Sequence, residues 1–248
     1  MESIGIDLSM LPAAERAPGS IKSVVELHIE QGPFLERAGK QIGVVTGVAG
    51  STRFNCYVRG QQAHSGAMPM EGRRDALCGA AEILLAVERA ASGRTEPRVV
   101  ATVGYLDFNP RAVAIIPGRV HLIVDVRSVD PAACAEVVAE IKSNAESIAA
   151  RRSLEVEWGP EWAQHATKLD PDVVATIAAS CEELGVSHLS MISGGGHDAM
   201  TMAKRFPTAM LFVPSVGGIS HAPEEFTRTD DLVTGARVLC RTLRKLAG

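Results

Sequence analysis

An alternation of strand and helix patterns between residues 51 and 160 restricts the fold more than any other feature. Residues 53–58 alternate apolar and polar side chains, which is typical of a half-buried strand. A helical stripe of apolar residues follows at 73–91, and two β-rich runs at 98–107 and 119–129 indicate a pair of strands. This segment therefore begins as strand, helix, strand, strand.

The remainder of the segment completes the pattern. Asp130 and Pro131 are a typical N-cap and first-turn pair for a helix, and the apolar spacing continues to near Arg152. Residues 154–158 alternate again, as a last strand requires. The resulting order, β-α-β-β-α-β, predicts a ferredoxin-like domain over residues 51–160.

The flanking segments, residues 1–50 and 161–248, have a different pattern. They contain helix starts at Asp170 and near Thr229 and an apolar strand at 209–213, which indicate an α/β domain. Because the ends of an inserted domain usually lie close together, we predict that the ferredoxin-like domain is inserted into this α/β domain. The junctions are expected at 47–51 and 159–164. The predicted fold class is α/β.

Composition narrows the choice of partners and compartment. The net charge is −4 without a long basic run, which argues against a nucleic-acid partner. No apolar run approaches the roughly 20 residues that span a bilayer, and the N-terminus lacks the pattern of a signal peptide. The five cysteines are scattered and form no C-x-x-C pair, which favours a reducing cytoplasm. We expect a small-molecule partner and no membrane contact.

The segment ELHIEQG, which begins at Glu26, is the first candidate site. In a strand, the period of two places Glu26, His28 and Glu30 on one face. An imidazole between two carboxylates suits a divalent metal ion or proton transfer. A solvated polar face on an edge strand would have the same pattern, so the spacing leaves both interpretations open.

Two further segments carry candidate residues. In SGGGHDA, which begins at Ser193, the glycines precede a predicted helix, and their free N–H groups can hold an anion. The alternative is a flexible turn in which Asp198 is only the helix N-cap. In SHAPEE, His221 follows the strand at 209–213, where ligands of α/β domains usually bind. The alternative for His221 is an exposed loop histidine.

The predicted ferredoxin-like domain contributes His64 and Arg127, which could supply a hydrogen-bond donor and a carboxylate clamp. A surface salt bridge is the simpler interpretation of Arg127. The sequence contains no G-x-S-x-G motif, so we expect no serine-nucleophile hydrolase.

Six motifs follow one another along the chain: ELHIEQGP from Glu26, AHSGAMPMEGRRDAL from Ala63, IPGRV from Ile116, DVRS from Asp125, SGGGHDA from Ser193 and SHAPEEFT from Ser220. With these motifs the chain resembles the amidohydrolase branch of the M20 metallopeptidase family, which includes N-carbamoyl-L-amino-acid hydrolases, allantoate amidohydrolases and β-ureidopropionases. The resemblance covers nearly all of the chain. It implies hydrolysis of a carbamoyl or ureido C–N bond in a small substrate.

The resemblance also implies roles for individual residues. It implies a centre of two divalent metal ions, zinc or manganese, with His28 and His221 among the ligands. It implies substrate contacts for Gln31, Arg127, Gly195 and His197. His64 matches the catalytic histidine that polarises the scissile carbonyl from the neighbouring subunit. The inserted domain would therefore be a lid and dimerisation domain, and the resemblance implies a homodimer.

The sequence departs from the family pattern in two ways. Family members carry an upstream half of the catalytic domain with further metal ligands and the general base, and this chain contains no such segment. Because hydrolysis needs those groups, we expect the chain alone to be inactive. Ala114 and Arg111 also stand where the family pattern has asparagines, so substrate recognition is expected to differ. The alternative function is a non-catalytic dimerisation or ligand-binding protein derived from such an enzyme.

Overall fold

The structure is a computed structural model that describes residues 4, 5 and 7–248. Residues 1–3 and 6, which begin the first predicted flank, lie outside the described residues. The chain divides into two compact units. The described residues up to 48, together with 168–248, form the first, called the α/β unit, and residues 49–167 form the second, called the ferredoxin-like unit. No helix in the described part of the chain is long and apolar enough to cross a membrane.

In chain order the strands and helices are β1 (Val24–Ile29), α1 (Phe34–Ala38), β2 (Ile42–Val48), β3 (Gly50–Arg59), β4 (Ala63–His64), α2 (Ala76–Ala91), β5 (Val99–Asn109), β6 (Ile115–Ile116), β7 (Arg119–Ser128), α3 (Pro131–Arg151), β8 (Glu155–Gln164), β9 (Thr167–Lys168), α4 (Pro171–Glu183), β10 (His188–Ser193), α5 (Asp198–Met202), β11 (Thr208–Val213) and α6 (Thr229–Ala247). Two short 3₁₀ helices, Leu8–Ala14 and Val216–Gly218, complete the described elements.

The α/β unit contains a mixed sheet with the strand order β1-β11-β2-β10, to which β9 adds by pairing with β2. β1 is parallel to β11 and β10 is parallel to β2, whereas β11 and β2 are antiparallel. Every residue of β11 is buried. Helix α6 approaches the sheet at Gly235, where a Cβ would lie 2.5 Å from Val213 Cγ1 and 3.0 Å from Leu27 Cδ1. Leu27 therefore faces α6.

The ferredoxin-like unit contains an antiparallel sheet with the strand order β5-β7-β3-β8. Helices α2 and α3 pack on one face, where they bury Phe54, Leu122 and Val124. Asp130 begins α3 by accepting hydrogen bonds from the N–H groups of Ala132 and Ala133, as the sequence predicts. The structure confirms the α/β class and the β-α-β-β-α-β order.

The second junction differs from its prediction. Residues 159–164 lie within β8, and the unit continues to Thr167. Gly159 and Pro160 form a bulge, because Trp158 pairs with Cys56 while Glu161 pairs with Phe54. A proline is tolerated here because β8 is an edge strand. In the sequence, the Gly-Pro pair has the pattern of a loop that ends a strand. In the structure, it only bends β8.

Candidate functional site

Strand β1 places Glu26 and His28 on the face opposite Leu27, as its period of two predicts. One oxygen of Glu26, Oε2, accepts a hydrogen bond of 2.7 Å from the N–H of Ala199 in the first turn of α5. The predicted N-cap Asp198 is instead the first residue of α5, and His197 occupies the cap position. The Glu26 carboxylate thus accepts a hydrogen bond from the start of α5, and this hydrogen bond fixes the position of the carboxylate.

Glu30 does not join Glu26 and His28, although the alternation predicts it. Strand β1 ends at Ile29, and the Glu30 carboxylate accepts hydrogen bonds of 2.7 and 2.8 Å from the N–H groups of Phe34 and Leu35. The first N–H groups of a helix need such acceptors, and a buried carboxylate satisfies them well. Glu30 therefore begins α1 rather than contributing to the site.

His197 takes the place that the sequence predicts for Glu30. Its ring centroid lies 4.7 Å from that of His28, and its Nδ1 lies 3.6 Å from Glu26 Oε1. The possible ligand atoms of Glu26, His28 and His197 all lie within 4.8 Å of one another. The side chain of His197 is only 3% exposed, so the three groups face one partly buried point. Sequence analysis assigned His197 to substrate binding and missed this contact.

The hydrogen bonds of the two rings show which nitrogens are available. His28 Nδ1 lies 2.8 Å from the carbonyl oxygen of Ile29, so Nδ1 carries the proton and Nε2 keeps its lone pair. His197 Nε2 lies 2.7 Å from Ser193 Oγ, and Ser193 Oγ also lies 3.1 Å from the carbonyl oxygen of Gly195. When the Ser193 hydroxyl donates to His197 Nε2, Nδ1 carries the proton and faces Glu26. When the hydroxyl instead donates to Gly195, Nε2 carries the proton and Nδ1 keeps a lone pair that a cation can use. Metal-binding histidines have this arrangement, with one nitrogen hydrogen-bonded and the other free.

Glu26 is ionised in this environment. The neighbouring His197 side chain lowers the pKa of Glu26, burial opposes this effect, and the N–H of Ala199 adds to the lowering. The distance of 3.6 Å to His197 exceeds an ordinary hydrogen bond and leaves Oε1 available to another partner. A carboxylate and two imidazoles that converge in this way form a donor set for a divalent cation.

Gln31 and Gly195 lie next to this cluster. A Cβ at Gly195 would lie 3.5 Å from Gln31 Oε1 and 3.7 Å from His197 Nε2. Gln31 adopts a left-handed backbone (φ 58°), and its N–H donates a hydrogen bond of 3.0 Å to the buried Ser215 Oγ. The structure thus brings together three of the four predicted substrate contacts.

His221 lies on the exposed loop that follows β11 and also has a left-handed backbone (φ 56°). Among the described residues it is not part of the group formed by Glu26, His28 and His197. Glu225 connects its loop to Gln31: hydrogen bonds from Ser220, from the His221 N–H and from Gln31 lower the pKa of Glu225. Sequence analysis missed Glu225, because a carboxylate in an acidic loop has no distinguishing spacing.

The other two predicted residues belong to the ferredoxin-like unit. Arg127 donates through Nε and Nη2 to Asp125, at 3.0 and 2.9 Å, and Asp125 also accepts a hydrogen bond of 2.8 Å from Arg53 Nε. Arg127 therefore forms the ion pair of the simpler interpretation, and its substrate contact stays a prediction. His64 is exposed on β4, where its Nδ1 accepts hydrogen bonds of 3.0 and 3.2 Å from the N–H groups of Gly66 and Ala67.

Comparison with known proteins adds three findings. The sequence profile of peptidase family M20/M25/M40 matches residues 2–245. An N-carbamoyl-L-amino acid amidohydrolase of Geobacillus stearothermophilus is 38% identical over 248 residues, which cover 100% of this chain and 60% of that protein. A ureidoglycolate hydrolase of Arabidopsis thaliana is 39% identical over 230 residues, 92% of this chain and 48% of that protein.

A solved structure is also similar to this chain. A hydantoinase/carbamoylase family amidase from Burkholderia vietnamiensis superimposes with a TM-score of 0.85 at 37% identity, over 92% of this chain and 55% of that chain. The chain therefore spans 48 to 60% of the length of these relatives.

Proposed function

Because the chain belongs to peptidase family M20/M25/M40, we propose that it forms part of a metal-dependent amidohydrolase that cleaves the carbamoyl or ureido C–N bond of a small substrate. The observation that carries this proposal is the convergence of Glu26, His28 and His197. The relatives named carbamoylase, amidohydrolase and ureidoglycolate hydrolase support the choice of substrate class.

The donor set fits one divalent metal ion. Glu26 Oε1, His28 Nε2 and His197 Nδ1 are the atoms that would hold it, and nitrogen and carboxylate donors suit zinc or manganese. When bound, such an ion polarises a carbonyl oxygen and lowers the pKa of water. His221 remains the predicted ligand of a second ion, but its neighbours among the described residues supply no second group of three donors.

The substrate-binding roles rest on the resemblance and on local geometry. Gln31 and Gly195 adjoin His197, so an amide group and a backbone segment are available to a ureido group beside the proposed metal. His197 is within reach of both the metal and the substrate in this arrangement. Arg127 would bind the substrate's carboxylate, because a guanidinium can present two N–H groups to it.

His64 and Arg127 belong to different sheets of the ferredoxin-like unit: His64 lies in the two-stranded sheet of β4 and β6, and Arg127 lies in the four-stranded sheet. Arg119 and Arg127 are eight positions apart along β7, which places their Cα atoms about 26 Å apart. His64 pairs with Ile115 of β6, the strand that directly precedes the Arg119 end of β7, which is the end remote from Arg127. A carbamoyl amino acid spans about 7 Å, the length of two extended residues. We therefore propose that one substrate contacts Arg127 of one copy and His64 of another, which requires a homodimer.

A metal-binding and activity assay tests the proposal. The chain is titrated with Zn²⁺ or Mn²⁺, alongside His28→Ala and His197→Ala variants and the control His165→Ala, which removes an exposed histidine. We expect both site variants to lose the binding that the control retains. Ammonia release from an N-carbamoyl amino acid is then measured for the chain alone and with the remaining part of the Geobacillus relative. The proposal would be contradicted if all variants bound metal equally and if neither the chain alone nor the chain with the added part of the relative hydrolysed the substrate.

The alternative, a non-catalytic ligand-binding protein, is favoured by the position of Ala114. Its carbonyl oxygen accepts a hydrogen bond of 2.9 Å from the N–H of Ser65, the residue after His64. The position that departs from the family pattern thus adjoins the proposed catalytic histidine. Binding of a carbamoyl amino acid without hydrolysis in any mixture would support this alternative.

A further inference from the structure

The loop that follows His64 is held by a single arginine. Arg73 Nη2 donates hydrogen bonds of 2.7 Å to the carbonyl oxygens of Ser65 and Met68, and Arg73 Nε donates one of 3.0 Å to that of Pro69. All three partners are backbone carbonyls, so this guanidinium fixes the shape of the loop rather than balancing a charge. Arg73 itself has no part in the function proposed for His64.

Apolar packing contributes little to the conformation of this loop. Gly66, Ala67 and Pro69 are exposed, and Met70 is 78% exposed. Without a buried side chain to anchor it, a loop of this kind keeps one conformation mainly through its hydrogen bonds. The arginine is therefore the main restraint on residues 65–69 apart from two backbone hydrogen bonds, Ser65 N–H to Ala114 and Met68 N–H to His64.

The loop determines how His64 presents its ring. The N–H groups of Gly66 and Ala67 both donate to His64 Nδ1, so this nitrogen carries a lone pair and the neutral ring holds its proton on Nε2. Adding a proton at Nδ1 would break both hydrogen bonds. The exposed Nε2–H is thus available as a fixed donor to a carbonyl oxygen or an oxyanion.

We propose that Arg73 is a positioning residue for His64: by holding the carbonyls of residues 65, 68 and 69, it keeps two loop N–H groups on Nδ1 and the proton on Nε2. The catalytic consequence of this proposal rests on the role of His64 in the proposed function. Lysine cannot replace the arginine, because an ammonium group is a point donor and lacks the planar fork that reaches several carbonyls at once.

The test compares Arg73→Gln and Arg73→Lys with the control Arg74→Gln in the full chain. Arg74 is adjacent in sequence, but its side chain donates to Ser153 and Glu155, outside the loop. The readouts are the ¹⁵N NMR shifts of the His64 ring nitrogens and the hydrogen exchange of the Gly66 and Ala67 amides. We expect both Arg73 variants to mix the two His64 tautomers and to exchange these amides about tenfold faster or more, while the control matches the unmodified chain.

Kinetics separate this proposal from the proposed function. Where the assembled protein hydrolyses an N-carbamoyl amino acid, both Arg73 variants should lower kcat by up to about 100-fold with little change in KM, since a misplaced group acts mainly on the transition state. Altered tautomer and exchange with unchanged kcat would support the positioning role and contradict the role of His64. Unaltered tautomer and exchange in both variants would overturn the proposal. Arg73→Lys, which keeps the charge, serves as the informative variant if Arg73→Gln fails to fold.

Discussion

The two units hold their candidate residues in different ways. In the α/β unit, Glu26 and His197 are partly or almost wholly buried, and each is fixed by a neighbouring strand or helix. In the ferredoxin-like unit, His64 lies on an exposed loop and Arg127 on the sheet face opposite the helices, and hydrogen bonds from charged side chains hold both regions. Burial therefore organises the candidate residues of the α/β unit, and polar networks organise those of the ferredoxin-like unit.

This difference has a consequence for substitutions. A buried site shares its stability with the surrounding core, so a change in packing disturbs its geometry as well as the fold. A site held by a polar network can lose its geometry while the core remains intact. Substitutions in each unit can therefore test this distinction.

The largest effect is expected from core truncation in either unit. Phe54 and Phe212 are both 1% exposed, and they belong to separate apolar clusters in the two units. Each Phe→Ala change should lower the free energy of unfolding of its own unit by about 3–5 kcal/mol. Native-state hydrogen exchange locates the loss, with Phe226→Ala as an exposed control. Loss of protection throughout both units in either variant would show that the two cores are not independent.

The next effect concerns the polar network of the ferredoxin-like unit. Asp125→Asn removes the carboxylate that Arg53 and Arg127 share, and hydrogen bonds to charged groups contribute about 1.5–3 kcal/mol. We expect a stability loss of this size in chemical denaturation, while the NMR chemical shifts of the core amides below the helices stay unchanged because the folded core keeps its packing. The control Asp107→Asn, which breaks an exposed pair with Arg111, should change stability little.

The same carboxylate predicts a dependence of stability on pH. Burial raises the pKa of Asp125, but the hydrogen bonds from Arg127 and Arg53 outweigh it and lower the pKa below the ordinary value. The stabilisation is therefore fully present above the unfolded-state pKa of about 3.9, and it is lost as the pH falls through the lower folded pKa. Denaturation between about pH 6 and pH 2 should show a shallower loss for Asp125→Asn than for the unmodified chain.

A smaller effect is expected in the α/β unit from Ser193→Ala. The Ser193 hydroxyl contacts His197 Nε2, and groups that orient a metal-binding histidine typically change metal affinity by about 10- to 100-fold. Competition with a chelator should show this loss for Zn²⁺, whereas Ser190→Ala on the same strand is exposed and should retain full affinity. Equal affinities in the two variants would remove Ser193 from the proposed metal centre.

The smallest effect is expected from chemical labelling of the native cysteines. Burial raises the pKa of Cys56 to about 12 and that of Cys181 to about 11, whereas Cys78 and Cys240 are exposed. A thiol reagent should modify the two exposed cysteines first and the three buried ones, Cys56, Cys134 and Cys181, only after unfolding. Since Cys56 lies in the ferredoxin-like unit and Cys181 in the α/β unit, their rates report the opening of each unit separately. Labelling of Cys56 or Cys181 before unfolding would show that the unit containing that cysteine opens readily.

Local patterns were sufficient to predict most of the elements. Asp130 and Asp170 begin helices α3 and α4 as expected, because an N-cap and a following proline act within a few residues. The alternation in β1 was sufficient to place Glu26 and His28 together. It failed at Glu30, because the strand ends one residue earlier and the N–H groups of α1 take that carboxylate. The bulge in β8 was missed, since a Gly-Pro pair has the same local pattern in a turn and in a bulged edge strand.

By itself, the sequence determined the order of the elements, the insertion of a ferredoxin-like unit and the family resemblance, because periodicity, helix caps and motifs act over short distances along the chain. The tertiary structure alone decided that His197 meets Glu26 and His28, since Glu26 and the helix that follows His197 are 173 residues apart and are brought together by packing between β1, β11 and α5. It also decided that Arg73 holds the His64 loop, because a guanidinium can reach many acceptors and only the folded backbone selects three of them.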